Sequence, residues 1–583
     1  MVKTNAKDKE KNSASGSVKR WFTQLLGADK KTKLLYLLLA ALSCVLMFHK
    51  VAFYNDEILS YCLANNDEVE IRMIYLPEGD GTIIGNETCM RMYPGLRIMP
   101  ADQALAHVAS VHPRESFNFV KVWKNQAADT HPPLYYLLLH TICSFFPTLF
   151  SKWFAWFVNL IFILGVLYAS RRLVRELTQS EFILQAVSLS LVLCSTVLNA
   201  TACLRMYIMA MFWVSLETAM LVGQLDKPVT NEFCRRAALV ALLGALTHYF
   251  CPLYSVLACT VFCLLLLAQK EFRAVFRFAA WHFGAAIAAC AIFPATVKHL
   301  LYGQRGVQEF VPHALDFSDY GERLSQYWYN QNNELFGAML PVLALIFFVL
   351  IFFKTQKIDE VDTQPAAQDV NALWLKKAAL CTVPAILYFL VIAKTSPVLS
   401  PIIKADIKYI TPIFAVSLVA VTTLVYTQLE RVLAQKWAKY TITAMALLCI
   451  FGSWWNTNWE SRFLYREYLP SLDIQRQFAN ADCYFWYGNI MPKDLHYVVP
   501  YRSVTFFPVE HYNPEVVRKA ISTPGVTMLV LGFSPSRDGK TPQQLLGELG
   551  PELANWSVIQ TPVGRNYEEA APVGNFYHLI RIR

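Results

Sequence analysis

Long apolar stretches, separated by short basic ones, run through most of the 583-residue chain. Runs of about 17–22 residues are long enough to cross a bilayer core of roughly 30 Å as helices. Eleven are predicted, at 33–53, 152–170, 182–202, 205–224, 236–251, 253–269, 277–296, 336–354, 374–393, 409–428 and 439–457. The stretch 133–150, PLYYLLLHTICSFFPTLF, is apolar too. Counted as a span, it flips every basic loop that follows. Left out, it lets the loops with Arg171, Arg172 and Arg175, with Lys227, Arg235 and Arg236, and with Lys270, Arg273 and Arg277 share a side with the N-terminal tail. The positive-inside rule makes that side cytoplasmic. The pattern therefore predicts a polytopic α-helical membrane protein of about eleven spans, N-terminus inside and C-terminus outside. The 133–150 helix then lies in the interface or is half inserted.

Three regions follow. Residues 1–32 form a cytoplasmic basic tail, with eight Lys/Arg against three Asp/Glu before the first apolar run. Residues 33–457 form the transmembrane module, whose first external loop, 54–151, is far longer than a connector needs. Residues 458–583 alternate strand-like runs (DCYFWY, SVTFFPVE, VTMLVLGFS, NFYHLIRIR) with short helical ones (PEVVRKAIS, PQQLLGELG), the pattern of a small external α/β domain.

Only 16% of the residues are charged, against about 25% in soluble domains, because lipid solvates most of the apolar surface. The net charge of +9 resides in the tail and short loops, which excludes a nucleic-acid footprint. The fourteen cysteines show no CxxC spacing. Those outside the apolar runs leave a Cys62–Cys89 disulfide open.

The unusual polar residues thread to the outer face. Asp56 and Glu57 (FYNDEILSY) follow the first span, where the negative end of a helix dipole disfavours acids. A solvated loop start explains them, but the apolar ILSYCL beyond suggests a membrane-facing ledge. In AADTHPPLYY, Asp129 or Thr130 can cap a helix opening at Pro132. Capping does not ask for His131, which reads as a hydrogen-bonding group or a metal ligand. Arg205 and Tyr207 (CLRMY) and His248 and Tyr249 (THYF) sit at outer helix ends. Snorkelling and a packed polar turn are their structural alternatives. Lys404 and Lys408 (IIKADIKYITP) stand outside, against the charge rule, and suit either a phosphate or anionic headgroups. Within the spans there are few ionisable groups, Glu217 and His282 among them, and no repeat. That disfavours a transporter.

Taken in order, the DE pair, D-x-HPPL, R-x-Y, THY and K-Y-x-x-P resemble the GT-C glycosyltransferases, in particular the protein O-mannosyltransferase (family 39) and aminoarabinose transferase branch, over about residues 33–430. The resemblance implies transfer of a sugar from a polyprenyl-phosphate donor to a hydroxyl of a protein, lipid or envelope polysaccharide at the outer face of the plasma membrane. It implies Asp56 as catalytic base with Glu57 as its partner, and Arg205, Lys404 and Lys408 on the donor phosphate. Asp129, His131, Tyr207, His248 and Tyr249 would line the cleft. No cofactor is required, although a divalent metal on Asp129, His131 and His248 is a secondary reading. A single displacement driven by one base predicts inversion at the anomeric carbon. Tyr136 stands where O-mannosyltransferases carry lysine, and Lys408 where relatives carry arginine, which leaves the sugar and its carrier open. The competing classes are a flippase for lipid-linked sugars and a non-catalytic envelope assembly protein.

Overall fold

A computed structural model describes residues 29–66, 99–100, 105–106, 108–302, 315–361, 365–396, 406–459, 463–487, 498–508, 514–533, 542–565 and 572–582. Two expectations, the Cys62–Cys89 bond and the placing of Lys404, involve positions outside the described residues. Cys62 itself is buried.

The chain enters through α1 (Lys30–Phe48), breaks, and turns into α2 (Asn55–Asn65). Two short helices follow, α3 (Phe119–Ala128) and α4 (Leu134–Ser144). The bundle then continues through α5 (Lys152–Leu177), α6 (Glu181–Leu193), α7 (Ser195–Ala202), α8 (Tyr207–Val222), α9 (Asn231–Ala245), α10 (Phe250–Ala268) and α11 (Phe272–Ile292). After α12 (Tyr320–Tyr329) come α13 (Leu340–Val361), α14 (Pro365–Thr395), α15 (Phe414–Val432) and α16 (Gln435–Asn456). α15 is the central helix, buried over nearly its whole length, whereas α11 buries only Ala274, Phe278, Ala285 and Ala289.

Each of the eleven predicted spans contains helix, although the first leaves it at Phe48, the one at 182–202 breaks at Cys194 and the one at 336–354 begins in a turn, and the chain is a multi-pass membrane protein. Six helices are long and apolar enough to cross by themselves, or eight if two bent pairs each count once. The others are too short or too polar to pass on length and composition. The bent pairs are α6 with α7, at 48°, and Tyr320–Leu335 with the start of α13, at 81°. The second bend turns at Gly337, whose φ of +62° suits glycine. A Cβ there would also come within 2.6 Å of the Cys449 carbonyl. α4 has 11 residues and reaches about 16 Å, half a bilayer core, in keeping with its separation from the spans.

The C-terminal region builds one six-stranded mixed sheet. Its strands are β1 (Met99–Pro100), β2 (Asp482–Tyr487), β3 (Ser503–Pro508), β4 (Met528–Phe533), β5 (Trp556–Arg565) and β6 (Pro572–Arg581), in the order β1-β3-β2-β4-β6-β5. β2 pairs parallel with β3 and β4, and the other pairings are antiparallel. β1 comes from the first loop, so loop and C-terminal region share a sheet. β5 carries Pro562, which cannot donate to a ladder. It occupies an edge, where proline is tolerated.

His578 on β6 is buried between the Tyr501 hydroxyl (2.9 Å) and Thr561 Oγ1 (3.2 Å). Burial pushes its pKa down from 6.5 to about 4. Between those values the unfolded chain binds a proton that the folded sheet refuses, so stability falls as pH drops through that window. The loss is about 3 kcal/mol and levels off near pH 4. Thermal unfolding of the full-length protein should show this dependence, and His578→Gln should flatten it.

Candidate active site

Asp56 and Glu57 do not sit at a helix C-terminus, as the sequence suggested. The helical run stops at Phe48, the chain turns over Lys50–Tyr54, and both acids fall in the first turn of α2. There the dipole favours them, by about 0.3–1 kcal/mol each. Their environments then diverge. Glu57 is fully buried: Oε2 accepts from the Tyr54 amide (2.8 Å) and lies 2.9 Å from Lys50 Nζ. Its Oε1 accepts from the Leu204 amide (2.8 Å) and from Lys50 Nζ (3.0 Å). Lys50 Nζ also donates to the Phe463 carbonyl (2.5 Å). Burial pushes the Glu57 carboxyl up, while Lys50 and the two amides pull it down.

Asp56 keeps 24% of its side chain exposed, so a second molecule can reach it. Its Oδ2 is 3.4 Å from Lys408 Nζ and 3.8 Å from Arg205 Nη2. Both cations are buried and held in place. Arg205 lies in the break between α7 and α8, and its Nη1 donates to the Asp56 carbonyl (2.8 Å) and to Ser60 Oγ (3.0 Å). Asn159 Nδ2 secures the break by donating to the Cys203 carbonyl (2.7 Å). Lys408 sits in a 3₁₀ turn, Ile407–Tyr409, ahead of α15. Asp406 caps the Lys408 amide through Oδ1 (3.0 Å) and holds Nζ through Oδ2 (2.8 Å). The rings of Tyr54 and Tyr409 flank Nζ at 5.1 and 5.3 Å. Burial works against the charge on Lys408, but Asp406 and Asp56 outweigh it and raise its pKa well above the usual lysine value.

Asp129 does not cap α4. It ends α3, and α4 opens on Pro133 with no side-chain cap. The short chain between the helices instead aims Asp129 Oδ2 at His131 Nδ1, 2.7 Å away. His131 Nε2 faces Arg205 Nη2 at 3.4 Å. The network assigns the proton to Nδ1 and makes Nε2 an acceptor. Asp129 thus stands on one ring nitrogen of His131 and Arg205 on the other. Burial raises the Asp129 carboxyl, but His131 and Arg205 lower it by more, so it falls below the usual carboxylate range. Asp129→Asn would unfix the His131 tautomer and should lower stability by about 1.5–3 kcal/mol, read from thermal unfolding.

His248 completes the wall. Its ring lies 5.9 Å from that of His131 and 5.4 Å from that of Tyr207, and its Nδ1 accepts from the Phe250 amide (3.1 Å). Tyr249 turns elsewhere, its hydroxyl 2.7 Å from His299 Nδ1. Asp56, Arg205, Lys408, Asp129, His131, Tyr207 and His248 thus come together, and Glu57 braces them from beneath. Sequence reasoning missed Lys50, Ser60 and Asp406. Only Asp406, an acid inside the lysine motif, carried a signal.

No family model matches the chain, and no curated protein does. Among solved structures it is similar to ArnT from Cupriavidus metallidurans in the apo state, with 10% identity and a TM-score of 0.41 over 79% of this chain and 93% of that one. It is also similar to the oligosaccharyltransferase AglB from Archaeoglobus fulgidus in complex with an inhibitory peptide and a dolichol-phosphate. There the identity is 9% and the TM-score 0.38, over 86% of this chain and 70% of that one. At these scores neither assigns a role to any residue here.

Proposed function

We propose that the chain is an inverting membrane glycosyltransferase. It moves a sugar from a polyprenyl-phosphate donor to a hydroxyl acceptor on the extracytoplasmic side. The observation that carries this reading is the reachable Asp56 carboxylate beside two buried, fixed cations. In the step proposed, Asp56 takes the acceptor hydroxyl's proton as its oxygen bonds to the anomeric carbon. The bond from that carbon to the phosphate oxygen breaks, and its electron pair leaves with the polyprenyl phosphate. That oxygen gains charge, which Lys408 and Arg205 meet where they already stand. Lys404 is the third phosphate ligand we propose.

Glu57, buried and four times bonded, is a positioning residue that ties α2 to the Arg205 break. His131, Tyr207 and His248 shape the cleft, with Tyr249 behind it. An apolar cavity of ≈ 860 Å³ lies among α12–α15, lined by Leu324, Phe347, Cys381, Phe389, Ile413 and Ala420. It suits an isoprenoid tail, and Ile413 on its wall is five residues from Lys408.

Purified protein in nanodiscs, given a panel of polyprenyl-phosphate sugars and a hydroxyl acceptor, tests the reading by NMR of the product's anomeric proton. Inversion is expected. Retention would require two displacements, with Asp56 as nucleophile rather than base, and would overturn the reading.

A further inference from the structure

One buried acid plays no part in this chemistry. Glu217 lies ten residues into α8 from Tyr207, about 15 Å along the helix, and is 3% exposed. Ser255 Oγ donates to its Oε1 at 2.6 Å, and Cys259 Sγ approaches the same oxygen at 3.6 Å. No cation pairs with it among the described residues. An acid well inside a membrane bundle with no cationic partner is costly.

The neighbouring helix brings a third donor. His282 on α11 gives Nδ1 to the Phe278 carbonyl (3.0 Å), and its Nε2 is buried with no hydrogen-bond partner. A backbone carbonyl on one ring nitrogen is the usual way to fix a histidine for metal binding through the other. One ligand atom each from Glu217, Cys259 and His282 lies within 4.8 Å of the other two, the one such group among the described residues.

We propose that Glu217, Cys259 and His282 bind zinc as a structural centre joining α8, α10 and α11. The donor set is one carboxylate oxygen, one sulfur and one imidazole nitrogen, which suits zinc and excludes magnesium and calcium. Binding releases the Cys259 thiol proton to solvent. The dication then meets one carboxylate and one thiolate, so the site carries no net charge within the membrane. Tetrahedral zinc places its ligand atoms roughly 3.3–3.8 Å apart; Glu217 and Cys259 already meet this at 3.6 Å, and His282 closes by up to about an ångström. The Ser255 hydroxyl, 2.6 Å from Glu217 Oε1, stands beside them as a candidate fourth ligand atom. The gain falls on α11, which packs on the bundle through few residues of its own. This inference is independent of the transferase reading.

Full-length protein in nanodiscs, loaded with zinc and freed of unbound metal, is assayed by elemental mass spectrometry. One zinc per chain is expected. Occupancy should fall at least tenfold in Cys259→Ser and in His282→Gln, and persist in Cys263→Ser, one turn further along α10. Cobalt loaded in zinc's place gives a second readout, thiolate-to-cobalt absorption in wild type that Cys259→Ser abolishes. The cobalt spectrum of the wild type decides the question even if a variant fails to fold. Folded wild type that retains no zinc overturns the proposal. So does zinc that both ligand variants leave in place, or a cobalt spectrum without thiolate absorption.

Discussion

Asp56→Asn is expected to lower sugar-transfer turnover by about 10²–10⁴-fold, the range a positioned general base contributes. Donor binding should persist, because asparagine keeps an oxygen near Lys408 and leaves Arg205 its bonds to the Asp56 carbonyl and Ser60. A fall in kcat with little change in donor affinity marks a residue that acts only in the transition state. Lys408→Gln should behave differently. It leaves Asp56 and Asp406 without their shared cation and takes a charge from the phosphate site, so donor affinity and turnover should fall together. Single-turnover kinetics with equilibrium donor binding separate the two cases. Equal loss of donor binding in both variants would mean that Asp56 organises the site rather than acting as its base.

The second large effect is on stability. Lys50→Met leaves the Glu57 carboxylate buried without its ammonium partner, both side chains having been fully excluded from solvent. Removing one member of such a pair costs about 3–5 kcal/mol, a large part of a typical net stability of about 5–15 kcal/mol. The variant should unfold at a markedly lower temperature in detergent, by size-exclusion or tryptophan fluorescence. Adding Glu57→Gln to Lys50→Met removes the stranded charge and should recover part of the loss. If the double variant is less stable than Lys50→Met, the cost lies in lost packing or amide bonds and not in the unpaired carboxylate.

The sequence made the membrane class and most helices legible, because apolar runs of bilayer length have few other uses. The site was legible as residue types more than as geometry. Asp56, Arg205, His131, His248 and Lys408 were all singled out, since charged and imidazole groups beside apolar runs stand out locally. Their relations were not readable. Nothing in FHKVAFYNDE announces that the chain breaks before Asn55, and that break moves both acids from the wrong end of a dipole to the right one. Asp129 had a good capping position and uses its carboxylate on His131 instead, because α4 starts at Leu134. Lys50 and Glu57 are seven residues apart, yet their pairing depends on the Leu204 amide and the Phe463 carbonyl, more than 140 residues away in sequence. β5, which carries Pro562, is absent from the strand-like runs of the sequence, and only the assembled sheet shows that it lies at an edge. Long-range partners of this kind leave no local pattern.

The most direct test of the central claim is mass spectrometry of lipid-linked sugars and envelope glycans, comparing cells that carry wild type with cells that carry Asp56→Asn at equal protein level. The variant should accumulate one polyprenyl-phosphate sugar while one glycan loses the corresponding sugar mass. Identical pools in the two strains, with the variant folded and present in the membrane, would contradict it.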